Sequence, residues 1–434
     1  MSDSVVVIGG GPAGLMAGLA AQRQGARVRV LAKGWGVFHW HAGCVDVLGY
    51  HPVPGAMVAS PRSDLSHLIA TRPDHPYALV GVGGVSSALD DLRALCAAAG
   101  YPLVGSIDRN RLIPTGVGAA RPTCLVPETM AGGDLEGQGA MLIVGFERFP
   151  DLTPTLVADN LGRRGIAARG VTLDLASLRA RRFVNGPVLA SLFETEEFRA
   201  EVTAALLPRV GRAVRVGFPA VLGHDGATKV VADLRSRLGV DVFEIPVVPP
   251  SIPGMRLHRI LAAAIRAGGG RVHDGMEAVA TESEAEDGHR RVTAVLTEAA
   301  ARNRRHTADA YVLATGGILG GGIVGSEEDG LAEVVFGLPV AAPAERSEWL
   351  RPEFTDPAGH PVYRSGVVVD GELRPLDPGG SIVLSNLHAA GGILAGADPI
   401  AERSVDGIAL ATGRRAGLLA ARSASPRLEG VDSS

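Results

Sequence analysis

The chain opens on a short apolar run at residues 5–8, continues through glycines at 9, 10, 11 and 14, and returns to a mostly apolar run at 28–31, broken only by Arg29. A short apolar run bounded by turn residues is a buried strand, and the longer segment between the two runs has the length of a helix. The pattern predicts strand, helix and strand, with the helix starting near Gly11 and stopping at Gly25. Further on, Leu89, Leu92, Leu95 and Cys96 recur at helical spacing over 86–99. Met141–Phe146 reads as a buried strand and 154–164 as a helix, while 213–221, 228–238 and 240–248 read as strand, helix and strand. This middle region alternates elements as a second α/β layer does. The run Pro249-Pro250-Ser251-Ile252-Pro253-Gly254 is a hard break. Beyond it a helix over 255–267 carries Leu257, Ile260, Leu261 and Ile265 on one face, and strands follow at 271–273, 291–298 and 309–314. The last segment, 382–421, ends in a helix over 407–421; residues 35–50 and 51–76 are Gly-, His- and Pro-rich and read as loops.

The first unit has a specific chemistry. Gly9 permits a tight turn, Gly11 lets backbone N–H groups approach a pyrophosphate, and Gly14 lets the helix close onto the sheet. Gly18 leaves a second smooth patch on the same face. A helix opening at Pro12 and Ala13 points its positive dipole end at the phosphates. One position breaks the pattern. The second strand normally ends in a carboxylate that holds the adenosine ribose, and here it ends Val30-Leu31-Ala32-Lys33. Either another residue or water supplies that contact, or the adenosine end is weakly bound or absent.

Composition narrows the classes. The 434 residues suffice for two domains. The chain is 46% hydrophobic, yet no apolar run approaches the roughly 18–20 residues of a membrane span, and no signal peptide is expected. A net charge of −4 and the absence of a basic tract give no ground for nucleic acid or a lipid surface. Cys44, Cys96 and Cys124 are widely spaced without a CxxC, so no disulfide framework, zinc site, iron–sulfur site or other metal is expected, and a reducing cytoplasm fits.

Several segments together carry a resemblance: the 9–18 glycine segment, Ala42-Gly43-Cys44-Val45-Asp46-Val47-Leu48, His75-Pro76-Tyr77, Pro249-Pro250-Ser251, Gly254 with Arg256-Leu257, the 314–322 run and Asp398-Pro399-Ile400. Over essentially its whole length the chain resembles the B-subunit family of the anaerobic glycerol-3-phosphate dehydrogenases, which is similar in fold to the fumarate reductase and succinate dehydrogenase flavoproteins. With the pattern above, the expected fold is α/β, a Rossmann-like FAD/NAD(P)-binding flavoprotein with a discontinuous flavin-binding domain at 1–120 and 255–434 and an inserted second α/β domain at 121–254. The resemblance implies a flavin, FMN for this chain with FAD as the alternative. It implies an FAD-bearing catalytic A subunit together with an iron–sulfur membrane-anchor C subunit, so that a cytoplasmic chain sits at the inner face of the membrane through a partner. The reaction implied is oxidation of sn-glycerol 3-phosphate to dihydroxyacetone phosphate, with electrons passed to quinone and then to fumarate or nitrate. Two other readings stay open: an independent fumarate-reductase-like flavoenzyme, and a structural partner that has lost its flavin.

The residues expected at the cofactor are Gly9, Gly11, Pro12, Ala13 and Gly14, then Ala42, Gly43 and Cys44, then Thr315 and Gly316, and finally Gly391 and Gly392. In flavoproteins of this kind the loop holding 38–44 passes along the isoalloxazine, and the last return brings a helix N-terminus near the pyrimidine ring. His41 and His388 are the acid–base candidates, because an imidazole titrates near neutrality; the competing reading makes them loop or core histidines. Arg256, Arg351, Arg364 and Arg403 are the candidates for a phosphate monoester, against a solvated role for each.

Overall fold

The computed structural model describes residues 3–52, 55–286, 289–298, 303–326 and 330–424. Nine parallel strands build two sheets within these residues. They are β1 (Asp3–Ile8), β2 (Val28–Ala32), β3 (Met141–Phe146), β4 (Ala168–Leu173), β5 (Arg215–Pro219), β6 (Asp241–Ile245), β7 (Arg271–Asp274), β8 (Ala308–Leu313) and β9 (Leu387–Ala389). The first sheet has the order β7-β2-β1-β8-β9 and the second β6-β5-β3-β4. Both later returns of the chain, at β7–β8 and at β9, therefore rejoin the opening unit. The fold is α/β and Rossmann-like, with a second α/β layer.

β1 is central, and its composition shows why. Val5 and Val7 face one apolar cluster while Val6 and Ile8 face another, so the strand is apolar throughout 5–8 rather than at alternate positions. The first cluster is covered by helices α1 (Pro12–Arg23), α2 (Pro76–Ala98), α3 (Ile252–Ala267) and α4 (Val405–Ala424). The second lies against a three-stranded antiparallel sheet formed by Ala278–Glu286, His289–Thr297 and Arg304–His306. The β3–β6 sheet has its own core, rich in phenylalanine: Phe146, Phe193, Phe198 and Phe218 meet edge-on or tilted.

Three expectations need correction. Within the stretch read as a loop, Pro61–Thr71 is a helix; residues 53–54 of that stretch lie outside the described residues. α2 begins ten residues before the expected 86, at Pro76, and is kinked at Gly81, whose φ is +68°. α3 begins inside the expected Pro/Gly break, because Ser251 caps it by accepting from the Gly254 N–H at 2.9 Å, and proline is tolerated in a first turn.

Candidate functional site

β1 ends at Ile8 and the chain turns at Gly9 with φ +120°, where a Cβ would strike the Ala314 carbonyl. The Gly9 carbonyl in turn occupies the place a Cβ on Gly14 would need, so α1 closes directly over the turn. α1 has Pro12 in its first turn and no side-chain cap at Gly11, which leaves its leading N–H groups for a ligand. A cleft runs across this turn. Its middle is Gly9, Gly10, Gly11, Pro12 and Ala13, faced by Ala314, Thr315, Gly316 and Gly317. On the β2–β7 side it is walled by Leu31, Lys33, Met276, Glu277 and Ala278, on the β9 side by Pro76, Tyr363, Ser365, Gly391, Gly392, Leu394, Val405 and Ile408, and Val37 and Trp40 from the segment after β2 also line it.

The wall fits a flavin. Thr315 Oγ1 and Ser365 Oγ are buried in it without a hydrogen-bond partner among the described residues. Gly317 packs so closely that a Cβ would strike the Gly392 carbonyl. An elongated cleft with glycine walls, an uncapped helix start and orphaned hydroxyls matches a largely apolar ligand that carries phosphate.

Gly9, Gly11, Pro12, Ala13, Thr315, Gly316, Gly391 and Gly392 thus come together in one lining, from distant stretches of chain. Gly14, Ala42, Gly43 and Cys44 lie outside it. Gly14 is spent on packing, Gly43 sits against Pro253, and the buried Cys44 meets Met130 with Sγ to Sδ at 3.7 Å. Burial pushes the Cys44 thiol up to about 12, against a partial opposing pull from Arg121, so it is no thiolate at neutral pH.

The two candidate histidines are also held away from the cleft. His41 Nδ1 accepts from the Gly43 N–H at 2.9 Å, so its proton sits on Nε2, 2.8 Å from Asp406. Asp406 also accepts from the Asp46 N–H at 3.0 Å, and Arg121 grips Asp46 at 2.5 Å. With both nitrogens engaged, His41 has no lone pair for a substrate proton. His388 is buried beside the Glu372 carbonyl, at 2.7 Å, and Ser423, and burial lowers its pKa. The segments behind the resemblance form a second lock. His75 accepts from the Tyr77 N–H and meets Glu402 at 3.1 Å, Tyr77 donates to the Val47 carbonyl, and Asp398 caps the turn Pro399–Glu402.

None of the four candidate arginines lines the cleft. Arg256 is buried and paired with both oxygens of Glu244, at 2.7 and 2.9 Å. Arg351 and Arg364 donate to the carbonyls of Gly359 and Ala358, and Arg403 lies 4.0 Å from Asp46. Lys33 is exposed at the edge of the cleft, where it pairs with Glu277 at 2.7 Å. Glu277, Tyr363 and Ser365 went unread in the sequence, since no motif marks them and they reach the cleft only through tertiary contacts. Among the described residues no cluster of His, Cys, Asp or Glu could hold a metal ion, and no helix is long and apolar enough to cross a membrane.

A family model described as "FAD binding domain" matches residues 4–405. The probable B subunit of an anaerobic glycerol-3-phosphate dehydrogenase from Halobacterium salinarum is 36% identical, over 97% of this chain and 98% of that protein. The B subunit of the anaerobic glycerol-3-phosphate dehydrogenase of Pectobacterium carotovorum is 33% identical, over 94% and 96%. Among solved structures, 3-ketosteroid delta1-dehydrogenase from Sterolibacterium denitrificans is similar at 12% identity with a TM-score of 0.47, over 97% of this chain and all of that one. E. coli quinol fumarate reductase is similar at 11% identity with a TM-score of 0.42, over 100% and 72%. A cleft built on the dinucleotide turn and sequence matches spanning nearly the whole length lead to one assignment: the chain belongs to the B-subunit family of the anaerobic glycerol-3-phosphate dehydrogenases, among flavoproteins with an FAD-binding domain.

Proposed function

We propose that this chain is an electron-relaying flavin subunit of a respiratory glycerol-3-phosphate dehydrogenase. In that complex, sn-glycerol 3-phosphate is oxidised to dihydroxyacetone phosphate on an FAD-bearing A subunit. Electrons leave through an iron–sulfur, membrane-anchoring C subunit to quinone, with fumarate or nitrate as terminal acceptor. The chain itself then sits at the inner face of the membrane through its partner.

One observation carries the relay reading: among the described residues, the only titratable side chains in the cleft wall are Lys33, Glu277 and Tyr363. Lys33 and Glu277 belong to the β2–β7 side, and the β9 side offers glycine, proline and aliphatic groups with Tyr363 and Ser365. Such a wall excludes water and positions a ring. It has no arginine pair for a phosphate monoester, and its β9 side has no carboxylate or imidazole base. A flavin held there supplies hydride and electron acceptance. The chain's own part is to place it, through the Gly9–Gly11 turn, the α1 N-terminus, Thr315 and Ser365. For the organisation we propose 1–120 with 255–434 as the flavin-binding unit and 121–254 as the insert; the separate β3–β6 sheet supports this.

The test is a quinone-reduction assay with glycerol 3-phosphate. The flavin-loaded chain alone is expected to be inactive, and co-expression with the A and C subunits to give activity. Turnover by the lone chain would refute the relay reading.

A further inference from the structure

We propose that Thr412 is a positioning residue of the cofactor site. It draws the Gly391 N–H away from the cleft and leaves the Gly392 N–H as the donor offered to the flavin ring, which sets how well the reduced ring is stabilised. This rests on the flavin reading above.

The last return of the chain supplies the geometry. β9 ends at Ala389, and the Ala390 N–H still bonds to the Leu313 carbonyl at the end of β8, at 2.9 Å. The chain then turns at Gly391, whose φ is +79° and where a Cβ would crowd the Ala13 side chain. Thr412 lies buried in α4. Its Oγ1 accepts from the Gly391 N–H at 2.8 Å and donates to the Ile408 carbonyl, one helical turn earlier, at 2.5 Å. Gly391 and Ile408 both line the cleft, so a single hydroxyl ties the glycine turn to the start of α4 behind the same wall. Gly392 is exposed in that wall, and its N–H makes no hydrogen bond among the described residues.

A threonine inside a helix ordinarily bonds only back to the i−4 carbonyl, and that bond alone gives the helix nothing. Here the lone pair is used as well, and a side chain that donates and accepts from one atom at this reach is a hydroxyl. With the Gly391 N–H committed, the direction of the next peptide is fixed. A fixed backbone donor stabilises charge that appears on reduction without having to reorganise, and hydrogen bonds to the ring are among the protein's means of tuning a flavin. For a flavin that relays electrons, the property so tuned is its reduction potential.

Full-length, flavin-loaded wild type, Thr412→Val and Thr412→Ser are reduced stepwise under spectroscopic observation, with thermal unfolding recorded alongside. Valine keeps the shape and loses the acceptor, whereas serine keeps the hydroxyl. Thr412→Val is expected to weaken the preference for reduced over oxidised flavin by about 10-fold, the worth of one hydrogen bond, which is about 30 mV lower for a two-electron couple. Thr412→Ser should keep the wild-type potential, whatever either change does to unfolding. An unchanged or raised potential in Thr412→Val, or a serine variant shifted as far as the valine one, would overturn the proposal. Should Thr412→Val not fold or not hold flavin, Thr412→Ala is read in its place against the same serine control. Wild type taking up no flavin would instead overturn the flavin reading itself, and the proposal with it.

Discussion

Arg256 and Glu244 meet where neither side chain is more than 3% exposed, and every strong donor and acceptor between them is used. Thr129 and the Leu222 N–H complete the Glu244 carboxylate, and the Gly223 carbonyl and the Tyr101 hydroxyl take the remaining guanidinium donors. Removing one partner leaves the other charge buried and unpaired. Arg256→Met is expected to cost about 3–5 kcal/mol in a denaturant titration, and adding Glu244→Gln to recover part of that loss. The cysteines give a second expectation. Burial pushes Cys44 and Cys96 up to about 12, and Cys124 well above its ordinary value. A thiol reagent at neutral pH should therefore label no cysteine in the native protein and all three in denaturant; prompt labelling of Cys44 would contradict its placement. Residue type was readable here and partnership was not. Arg256 has the chemistry of a phosphate ligand, but Glu244 sits 12 positions away on another element, and His41 finds Asp406 across 365 positions. A single sequence carries no record of such pairings.

Among the elements, the strands were legible where both faces are buried. β1 over 5–8, β2 apart from Arg29, and β3 are apolar, and all three sit within a residue or two of their expected limits. The helix Pro61–Thr71 was hidden because Leu65 and Leu68, with Ile69 partly buried, anchor its face among mostly polar neighbours. The first half of α2 was hidden by Gly81, Gly83 and Gly84, which lower helix propensity until the buried contacts of Tyr77 and Val85 override it. α4 shows the reverse, glycine used for contact. A Cβ on Gly413 or Gly417 would press into the carbonyls of Ala13 and Ala17 on α1. In a free helix Gly→Ala gains about 1 kcal/mol. Here Gly417→Val is expected to lose about 1–3 kcal/mol through overpacking, seen as a lower Tm and weaker flavin retention, since α1 forms the floor of the cleft. An unchanged Tm would mean that the two helices are not so closely seated.

Across the whole molecule, what the opening unit announces is completed by segments hundreds of residues downstream. β7, β8 and β9 assemble on either side of β1 and β2, and the Thr315 and Gly391 turns close over Gly9 and Gly11. The glycine turn, the returns and the family were legible because each rests on a local pattern or a motif. The reach of the cleft towards Glu277 was not, because it follows from β7 lying beside β2. A cleft that holds a flavin should leave its mark on the protein as isolated. The decisive measurement is the absorbance spectrum of the purified chain, followed by chromatographic identification of whatever denaturation releases. A yellow protein releasing about one flavin per chain is expected; a colourless protein that takes up neither FAD nor FMN would overturn the assignment of the cleft.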